Sequence, residues 1–233
     1  MGNKFEKGEC RMENCLEKGK YRAVFSDIDG TLLNDFHEVT EGTRNKVMEL
    51  QEAEIPFILV SARMPKGMIA IRDEVGYPNP MICYSGALIV DEAGRYIYDT
   101  ALEKETAKNL CNYVEEKEPE IAVNIYSEDN WKVKQKGNPW VIQEMQITGV
   151  MPEEVDFLRE ETFEKVHKIL CIGEAQAISR LEGQLKERFL GIRIYKSKDT
   201  YLEIMSEKAS KSGAMKILEK KFGISREETI AFG

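Results

Sequence analysis

The sequence has no excess of positive charge. Its 33 lysine and arginine residues are outnumbered by 41 aspartate and glutamate residues, which gives a net charge of −8 at pH 7. Nucleic acids and anionic membrane surfaces are bound by basic patches, so this balance argues against both as partners. A small anionic molecule remains compatible with it, because one local site can be positive inside an acidic protein.

The sequence also lacks a cysteine pattern typical of disulfides or of zinc. The cysteines are odd in number and no two have CxxC spacing: Cys10, Cys15, Cys83, Cys111 and Cys171. We interpret them as reduced thiols, and we therefore expect a cytoplasmic protein.

Targeting and membrane-spanning segments are missing as well. Residues 1–20 are polar and have no apolar segment of the kind found in a secretory signal, so we interpret them as an extension in front of the folded part. No run in the sequence is long and apolar enough to span a membrane. We therefore expect neither a membrane nor a nucleic acid as partner.

What is present is an alternation of short apolar runs and amphipathic stretches. Strand-like runs at 21–26, 55–63 and 81–90 are separated by helix-like segments at 39–54 and 64–76. The second run is apolar on both faces, as expected of a parallel strand buried between helix layers. This order predicts an α/β fold with a doubly wound, Rossmann-like parallel sheet.

The middle of the sequence follows a different pattern. Hairpin-like pairs of short runs occur at 86–100, 120–136 and 192–206, and helical patterns cover 103–119 and 174–191. Hairpins mixed with helices predict an α+β insertion built on an antiparallel sheet.

These patterns divide the chain into three parts. After the extension at 1–20, we expect a core made of residues 21–86 and 197–233, interrupted by an inserted α+β domain at 87–196. The core resumes with a helix and a final apolar run that we predict to be another buried strand.

Two aspartates stand one residue apart directly after the first strand-like run. In "FSDIDGTLLN", Asp27 and Asp29 fall at the carboxyl end of that strand, which is where parallel α/β sheets bind their ligands. Gly30 permits close approach of a ligand, and the N–H groups of the turn, including that of Ile28, can form an anion-binding nest.

Two carboxylates this close repel each other unless a cation joins them. Mg²⁺ suits the pair because it takes carboxylates together with phosphate oxygens and water. One carboxylate can then attack phosphorus to form an aspartyl-phosphate, while the other protonates the leaving alkoxide and later activates water.

Three other interpretations of the aspartate pair stay open at this point. An EF-hand loop needs glycine at its sixth position and a preceding helix, whereas here glycine is fourth and a strand precedes. An ordinary Asx-rich turn and a metal-binding loop without catalysis fit the local residues.

Two other strand or helix ends carry groups suited to phosphate. The second strand-like run ends in "SAR", where the Ser61 hydroxyl and the N–H groups of Ala62 and Arg63 can hold a phosphate oxygen at a helix N-terminus. Lys211 follows the N-cap candidate Ser210 and can reach a phosphate as a point charge. Taken singly, each pattern is also typical of a plain turn or of a solvated lysine.

The set of motifs resembles a known family. "FSDIDGTLLN", "VSAR", "YSGALIVD" and "SKSGAMKIL", in this order, resemble the Cof-type phosphatases of the haloacid dehalogenase superfamily with a type IIB cap. The resemblance covers about residues 21–233. It implies that Asp27 is the nucleophile and Asp29 the general acid/base, that Asp27 and the backbone carbonyl of Asp29 bind Mg²⁺, and that Ser61 and Lys211 hold the phosphoryl group.

The resemblance also implies a role for the insertion and a class of substrate. In this family the cap, here about 87–196, covers the site and selects the leaving group, and substrates are mainly phosphorylated sugars, with flavin mononucleotide and pyridoxal phosphate in some members. The sequence departs from the family at Ser85, where an asparagine is usual, and it ends at Gly233, before the family's final acidic loop. We therefore expect a longer parent protein whose next loop supplies a third carboxylate.

The function predicted from the sequence is thus Mg²⁺-dependent hydrolysis of small phosphorylated metabolites through an aspartyl-phosphate. A non-catalytic protein that binds phosphorylated ligands on the same fold is the first alternative. A phosphomutase is the second, because it shares the aspartyl-phosphate chemistry and differs only in returning the phosphoryl group to a second hydroxyl.

Overall fold

The computed structural model describes residues 20–76 and 78–233. Nearly all of the predicted extension at 1–20 lies outside these residues. Among the described residues the strands form two six-stranded sheets, one with the order β12-β1-β2-β3-β4-β5 and one with the order β10-β11-β9-β6-β7-β8. The chain enters the second sheet after completing most of the first and then returns.

The first sheet and the helices that pack on it form one of the two parts of the fold. Its strands are β1 (Ala23–Asp27), β2 (Phe57–Val60), β3 (Met81–Cys83), β4 (Leu88–Val90), β5 (Tyr96–Asp99) and β12 (Thr229–Phe232). Its helices are α1 (Glu41–Glu52), α2 (Pro65–Val75) and α6 (Lys211–Phe222).

The central strands of this sheet are buried on both faces. Phe25 of β1 packs with Leu218 of α6 on one side, while Val24 packs with Val47 of α1 and Met68 of α2 on the other. Strands β12, β1, β2 and β3 are parallel. The continuous apolar runs therefore form a doubly wound parallel sheet, as the sequence predicts.

Helix ends fall where the capping residues indicate. The Thr40 hydroxyl accepts a hydrogen bond from the Thr43 N–H at the start of α1, and the Ser210 hydroxyl accepts one from the Gly213 N–H at the start of α6. Helix α2 ends at Gly76 in the left-handed conformation. Each of these contacts satisfies or redirects backbone groups that a helix end leaves unpaired.

The second sheet with its helices forms the inserted α+β part. Its strands are β6 (Ala122–Ser127), β7 (Asn130–Val133), β8 (Glu153–Glu154), β9 (Lys168–Ile172), β10 (Ile192–Lys198) and β11 (Tyr201–Ser206). Its helices are α3 (Lys104–Lys117), α4 (Pro139–Thr148) and α5 (Ala175–Arg188). Helices α3 and α5 cover one face, and the other face packs with α4 and residues of the first sheet.

Sheet membership does not follow the predicted limits of the insertion, 87 and 196. The hairpin β4–β5 pairs with β3 in the first sheet, and the hairpin β10–β11 lies wholly in the second. The second sheet with its helices therefore runs from after Asp99 to Ser206. A hairpin's own residues show that two strands pair with each other, but not which sheet the pair joins.

Helix α4 was not predicted, although its ends carry clear signals. Asn138 caps its start and Gly149 ends it in the left-handed conformation. The residues between these two ends do not indicate a helix, because Glu144 is buried while Ile142 and Ile147 are exposed. This inverted arrangement removes the apolar stripe by which amphipathic helices are recognised. Among the described residues, no helix has the length and apolarity needed to cross a membrane.

Candidate active site

The turn after β1 carries the two aspartates. Asp27 is the last residue of β1, and residues Ile28–Leu32 form one wide turn that closes with a hydrogen bond from the Leu33 N–H to the Ile28 carbonyl (3.0 Å). Gly30 has a φ of +73°, which allows the chain to reverse within this turn. Asp27 Oδ1 accepts a hydrogen bond from the Ile28 N–H (2.8 Å), which fixes the orientation of the carboxylate.

Lys211 reaches Asp27 from another part of the chain. Its Nζ lies 2.5 Å from Asp27 Oδ2, and Lys211 is the first residue of α6. This end of α6 rests on Gly86, where an added Cβ would lie 2.2 Å from the Ser210 carbonyl oxygen. With a φ of +98° as well, only glycine allows α6 to approach closely enough to bring Lys211 to Asp27.

Asp29 is held by a different cation. Arg63 Nε lies 3.1 Å from Asp29 Oδ2, and Arg63 Nη2 lies 2.6 Å from Asp29 Oδ1. This bidentate geometry orients the carboxylate of Asp29 in a site where its side chain is still 53% exposed. Each of the two aspartates therefore has its own cation.

Ser61 lies beside this pair and is firmly held. The register of β1 and β2 places Asp27 opposite Val60, so Ser61 follows at the same edge of the sheet. The Ser61 hydroxyl accepts a hydrogen bond from the Arg63 N–H (3.1 Å), and the Ser61 carbonyl accepts one from the Ser85 N–H (2.9 Å).

The turn after β3 has an unusual backbone. Tyr84, Ser85 and Gly86 have φ values of +50°, +52° and +98°. Left-handed conformations of non-glycine residues cost energy and occur where surrounding contacts impose them. One such contact is the hydrogen bond from the Tyr84 N–H to the Arg63 carbonyl (3.0 Å), which joins this turn to the one that carries Ser61. Asparagine adopts this conformation more readily than serine does, so Ser85 departs from the resembled motif at a strained position.

Several backbone groups expected to bind phosphate already have partners. The Ile28 N–H donates to Asp27 and the Arg63 N–H to Ser61. At the N-terminus of α2, the Lys66 N–H donates to Asp129 Oδ1 (2.8 Å), a carboxylate from the β6–β7 turn of the second sheet. Their part in phosphate binding therefore stays a prediction, as does that of Gly30 and Ala62.

The donor atoms at this edge suit a hard cation. No group of three or more His, Cys, Asp or Glu side chains able to hold a metal occurs within residues 20–76 and 78–233. The two carboxylates of Asp27 and Asp29 remain, and both are accessible to solvent. Mg²⁺ is commonly held by one or two carboxylates with substrate phosphate and water supplying the rest, so this oxygen set fits Mg²⁺.

The second sheet contributes charged groups that the sequence analysis did not single out. Lys168 Nζ donates to the Ala62 carbonyl (3.1 Å), within the turn that carries Ser61, and lies 3.8 Å from Glu203 Oε2. The only signal in the sequence is a charged residue within each of the apolar strands "KILCI" and "YLEIMS".

Three aromatic side chains of the second sheet and its loops are buried: Tyr126, Trp131 and His167. Tyr126 and Trp131 stack with ring centroids 5.7 Å apart. His167 stacks on Tyr84 and is hydrogen-bonded to Asp99. These three residues pack the interior, and none of them opens onto the two aspartates.

Comparison with known proteins identifies the class to which this fold and site belong. A family model described as haloacid dehalogenase-like hydrolase matches residues 24–233. The chain belongs to this family, which confirms the resemblance found in its motifs.

Individual relatives narrow the class. A Haemophilus influenzae protein named "Putative phosphatase" is 35% identical over 213 residues, which cover 91% of this chain and 80% of that protein. An HMP-PP phosphatase of Escherichia coli O6:H1 is 26% identical, with 91% and 77% covered. Among solved structures, a haloacid dehalogenase-like hydrolase from Bacteroides thetaiotaomicron has a TM-score of 0.84 at 25% identity, covering 92% of this chain and 82% of that one. The protein is accordingly a phosphatase of this family, a phosphoric monoester hydrolase.

Proposed function

We propose that the protein is a Mg²⁺-dependent phosphatase that hydrolyses small phosphorylated metabolites, foremost sugar phosphates, through an aspartyl-phosphate on Asp27. The observation that carries this proposal is the convergence of Asp27, Ser61 and Lys211 at one edge of the first sheet. These side chains come from three separate segments of the chain, and together they offer a nucleophile, a hydroxyl and a cation. A solvated lysine or an ordinary turn would not require that convergence.

In the first chemical step, a carboxylate oxygen of Asp27 attacks phosphorus and the bond from phosphorus to the ester oxygen breaks. The leaving alkoxide takes a proton from Asp29, which must be protonated at that moment. The N–H of Ile28 holds the other oxygen of Asp27, so one oxygen stays oriented for attack. Lys211, now paired with Asp27, would turn to the phosphoryl oxygens as the substrate arrives.

In the second step, water attacks phosphorus of the aspartyl-phosphate and gives its proton to Asp29. The bond between phosphorus and Asp27 breaks, which releases inorganic phosphate and restores the carboxylate of Asp27 and the protonated Asp29 with which the first step began. Arg63 orients the carboxylate of Asp29 through two hydrogen bonds, which suits the base role in this step. Asp29 must leave this pairing to act as an acid in the first step.

The carboxylate of Asp27 and the backbone carbonyl of Asp29 are the groups that would hold Mg²⁺. When bound, Mg²⁺ supplies positive charge that offsets the repulsion between substrate phosphate and carboxylates. The second sheet with its helices would act as the cap that selects the leaving group. We place the protein in the cytoplasm, where the buried free thiols of Cys83, Cys111 and Cys171 would stay reduced.

The test is release of inorganic phosphate from a panel of phosphate esters. We expect turnover with Mg²⁺, loss of turnover with a chelator, and recovery when Mg²⁺ is restored. The panel includes HMP-PP, the compound after which the E. coli relative is named. Binding of esters without phosphate release would favour the non-catalytic alternative, and isomerised sugar phosphate without free phosphate would favour the phosphomutase.

A further inference from the structure

A buried pair of opposite charges lies in the second sheet, outside the catalytic residues described above. Lys168 begins β9 and is 7% exposed, while Glu203 lies in β11 and is 6% exposed. The strands are neighbours, and Lys168 Nζ lies 3.8 Å from Glu203 Oε2. Both side chains are on the face of the sheet that packs toward the first sheet.

A tyrosine extends this pair. The Tyr195 hydroxyl donates to Glu203 Oε2 (3.2 Å), in agreement with the register of β10 and β11, which places the two residues opposite each other. Burial, followed by the nearby Glu203 carboxylate, raises the pKa of Tyr195 to about 12, so the phenol keeps its proton. The nearby Ser85 side chain acts on this pKa in the opposite direction.

Two of the three side chains reach the turns that follow β2 and β3, next to the catalytic aspartates. Lys168 donates to the Ala62 carbonyl, next to Ser61, and Tyr195 meets Ser85 in the strained turn after β3. Those two turns are joined by the hydrogen bond between the Ser85 N–H and the Ser61 carbonyl. A phosphate held at Asp27 and Lys211 would therefore direct the rest of its ester toward these side chains.

Stability alone gives a poor reason for this cluster. Taking an ammonium and a carboxylate out of water costs more than their attraction commonly returns, and well-packed apolar residues often replace such pairs without loss. The neighbouring positions on the same face, Leu170 and Met205, are apolar and buried. The charged residues therefore stand where packing would favour apolar ones.

The chemistry of the cluster indicates what it binds. A hydroxyl group both donates and accepts, so one hydroxyl can accept from Lys168 while donating to Glu203. Aromatic leaving groups fit less well, because the Tyr126 ring is already stacked on Trp131 and has the Lys168 ammonium 4.8 Å from its centroid.

We propose that Lys168, Glu203 and Tyr195 recognise the hydroxyl groups of the leaving group and so select polyhydroxylated phosphate monoesters. The inference rests on the proposed function, since it places the phosphate at Asp27. In the structure the three groups satisfy one another and the Ala62 carbonyl. Substrate hydroxyls replace these contacts when the second sheet moves far enough to admit them.

The test compares two esters that differ in the leaving group, a hexose 6-phosphate and p-nitrophenyl phosphate. For Glu203→Gln and Lys168→Met, the ratio of kcat/KM for the sugar ester to that for the aryl ester should fall about ten- to a hundred-fold, mainly through KM. The matched control is Lys132→Met. Lys132 lies in β7 of the same sheet and donates to the Thr162 carbonyl (3.3 Å), and its replacement should leave the ratio unchanged.

An unchanged ratio in Glu203→Gln would overturn the proposal, whether both activities fall together or neither falls. Equal changes would mean that the cluster only holds the two sheets together. A selective loss for the aryl ester would overturn it as well. If Lys168→Met does not fold, Tyr195→Phe, which removes only one hydroxyl, provides the second variant.

Binding separates this proposal from the proposed function. Affinities of the unmutated and Glu203→Gln proteins are measured by calorimetry for hexose 6-phosphate and for inorganic phosphate. Recognition by the cluster predicts that Glu203→Gln weakens sugar phosphate binding about ten-fold or more relative to phosphate binding. If no ester is hydrolysed, the proposed function fails, while this comparison still decides the role of Glu203. If Glu203→Gln weakens the binding of both ligands equally, the proposed role of Glu203 is contradicted.

Discussion

The two sheets each carry a lysine paired with a carboxylate, and the two pairs have opposite surroundings. Lys211 and Asp27 lie at the edge of the first sheet, where their side chains are 40% and 27% exposed. Lys168 and Glu203 lie on an inner face of the second sheet and are almost wholly buried. The first pair is closer, 2.5 Å against 3.8 Å, although it is more accessible to solvent.

This difference suggests that the two pairs have different functions. A charge near solvent can change partner at little cost, so Asp27 and Lys211 can release each other when a phosphate arrives. A buried charge must find a new partner within the site, because an unpaired one is strongly unfavourable. Lys168 and Glu203 therefore suit a ligand that supplies replacement hydrogen bonds.

Removing the nucleophile should produce the largest effect. We expect Asp27→Asn to lower kcat for every phosphate ester by at least about a thousand-fold, because the covalent intermediate cannot form. The fold should survive, since the side chain is near solvent. Phosphate release and circular dichroism measure the two outcomes. Asp35→Asn, in the exposed loop before α1, is the control and should keep its activity. Turnover close to that of the unmutated protein in Asp27→Asn, with deamidation excluded by mass spectrometry, would contradict the assignment.

Removing the proposed acid should depend on the leaving group. We expect Asp29→Ala to slow an alkyl phosphate about a hundred- to ten-thousand-fold, and p-nitrophenyl phosphate less, because p-nitrophenolate leaves without a proton. Kinetics with both esters and a Mg²⁺ titration are the measurements. If saturating Mg²⁺ restores both rates, the role of Asp29 is to bind Mg²⁺ and not to transfer a proton.

Moving the start of α6 away from Gly86 should disrupt the ion pair between Lys211 and Asp27. We expect Gly86→Ala to lower the free energy of unfolding by about 2 to 4 kcal/mol, since the new Cβ meets the Ser210 carbonyl and strains a positive φ. Activity should fall with it, because α6 carries Lys211. Urea unfolding gives the first value and kinetics the second. Gly94→Ala is the matched control: its φ is +80° with nothing within 4 Å, so it should cost only about 1 kcal/mol. Equal losses in both variants would show that the close approach of α6 is not needed.

The interface between the sheets should weaken in mild acid. Burial lowers the pKa of His167 from its ordinary value of 6.5, against the opposing effect of Asp99. Its Nδ1 accepts from the Glu128 N–H, its Nε2 faces Asp99, its ring stacks on Tyr84, and Lys165 lies nearby.

The sign of this effect follows from the proton count. Below pH 6.5 the unfolded chain binds a proton at this histidine that the folded protein excludes. The stabilising contribution is therefore complete above that pH and is lost as the pH falls toward the lowered value. Urea unfolding across this range should show a fall that His167→Asn reduces and that His37→Asn, at the exposed second histidine, leaves in place. An equal pH dependence in His167→Asn would remove His167 as the cause.

Much of the first sheet could be predicted from the sequence, because its signals are local. The apolar runs around Phe25 and Ile58 are long enough to read as buried strands, and Thr40 and Ser210 mark helix starts through their own hydroxyls. The aspartates could be placed at the ligand-binding edge because they follow a strand of a parallel sheet, whereas the place of Lys211 beside them was implied by the family resemblance.

The features that could not be predicted depend on contacts between distant segments of the chain. The pairing of Arg63 with Asp29 needs the orientation of two turns, and the sheet joined by the hairpin β4–β5 depends on its pairing with β3. Helix α4 was missed because it buries Glu144, whose partner is the hydroxyl of Tyr201 in β11. Lys168 and Glu203 were missed for the same reason. Each is a charged residue in an apolar strand, and its role becomes clear only when its partner on the other strand is known.

The central claim is that Asp27 itself carries the phosphoryl group during turnover. The most direct measurement is rapid acid quench of the enzyme with a phosphate ester and Mg²⁺ in the first turnover, followed by peptide mass spectrometry. We predict one phosphoryl group on the peptide that contains Asp27, localised to that residue, rising before free phosphate and absent from Asp27→Asn. Free phosphate that forms without any phosphorylated peptide, or a phosphoryl group on another residue, would contradict the account.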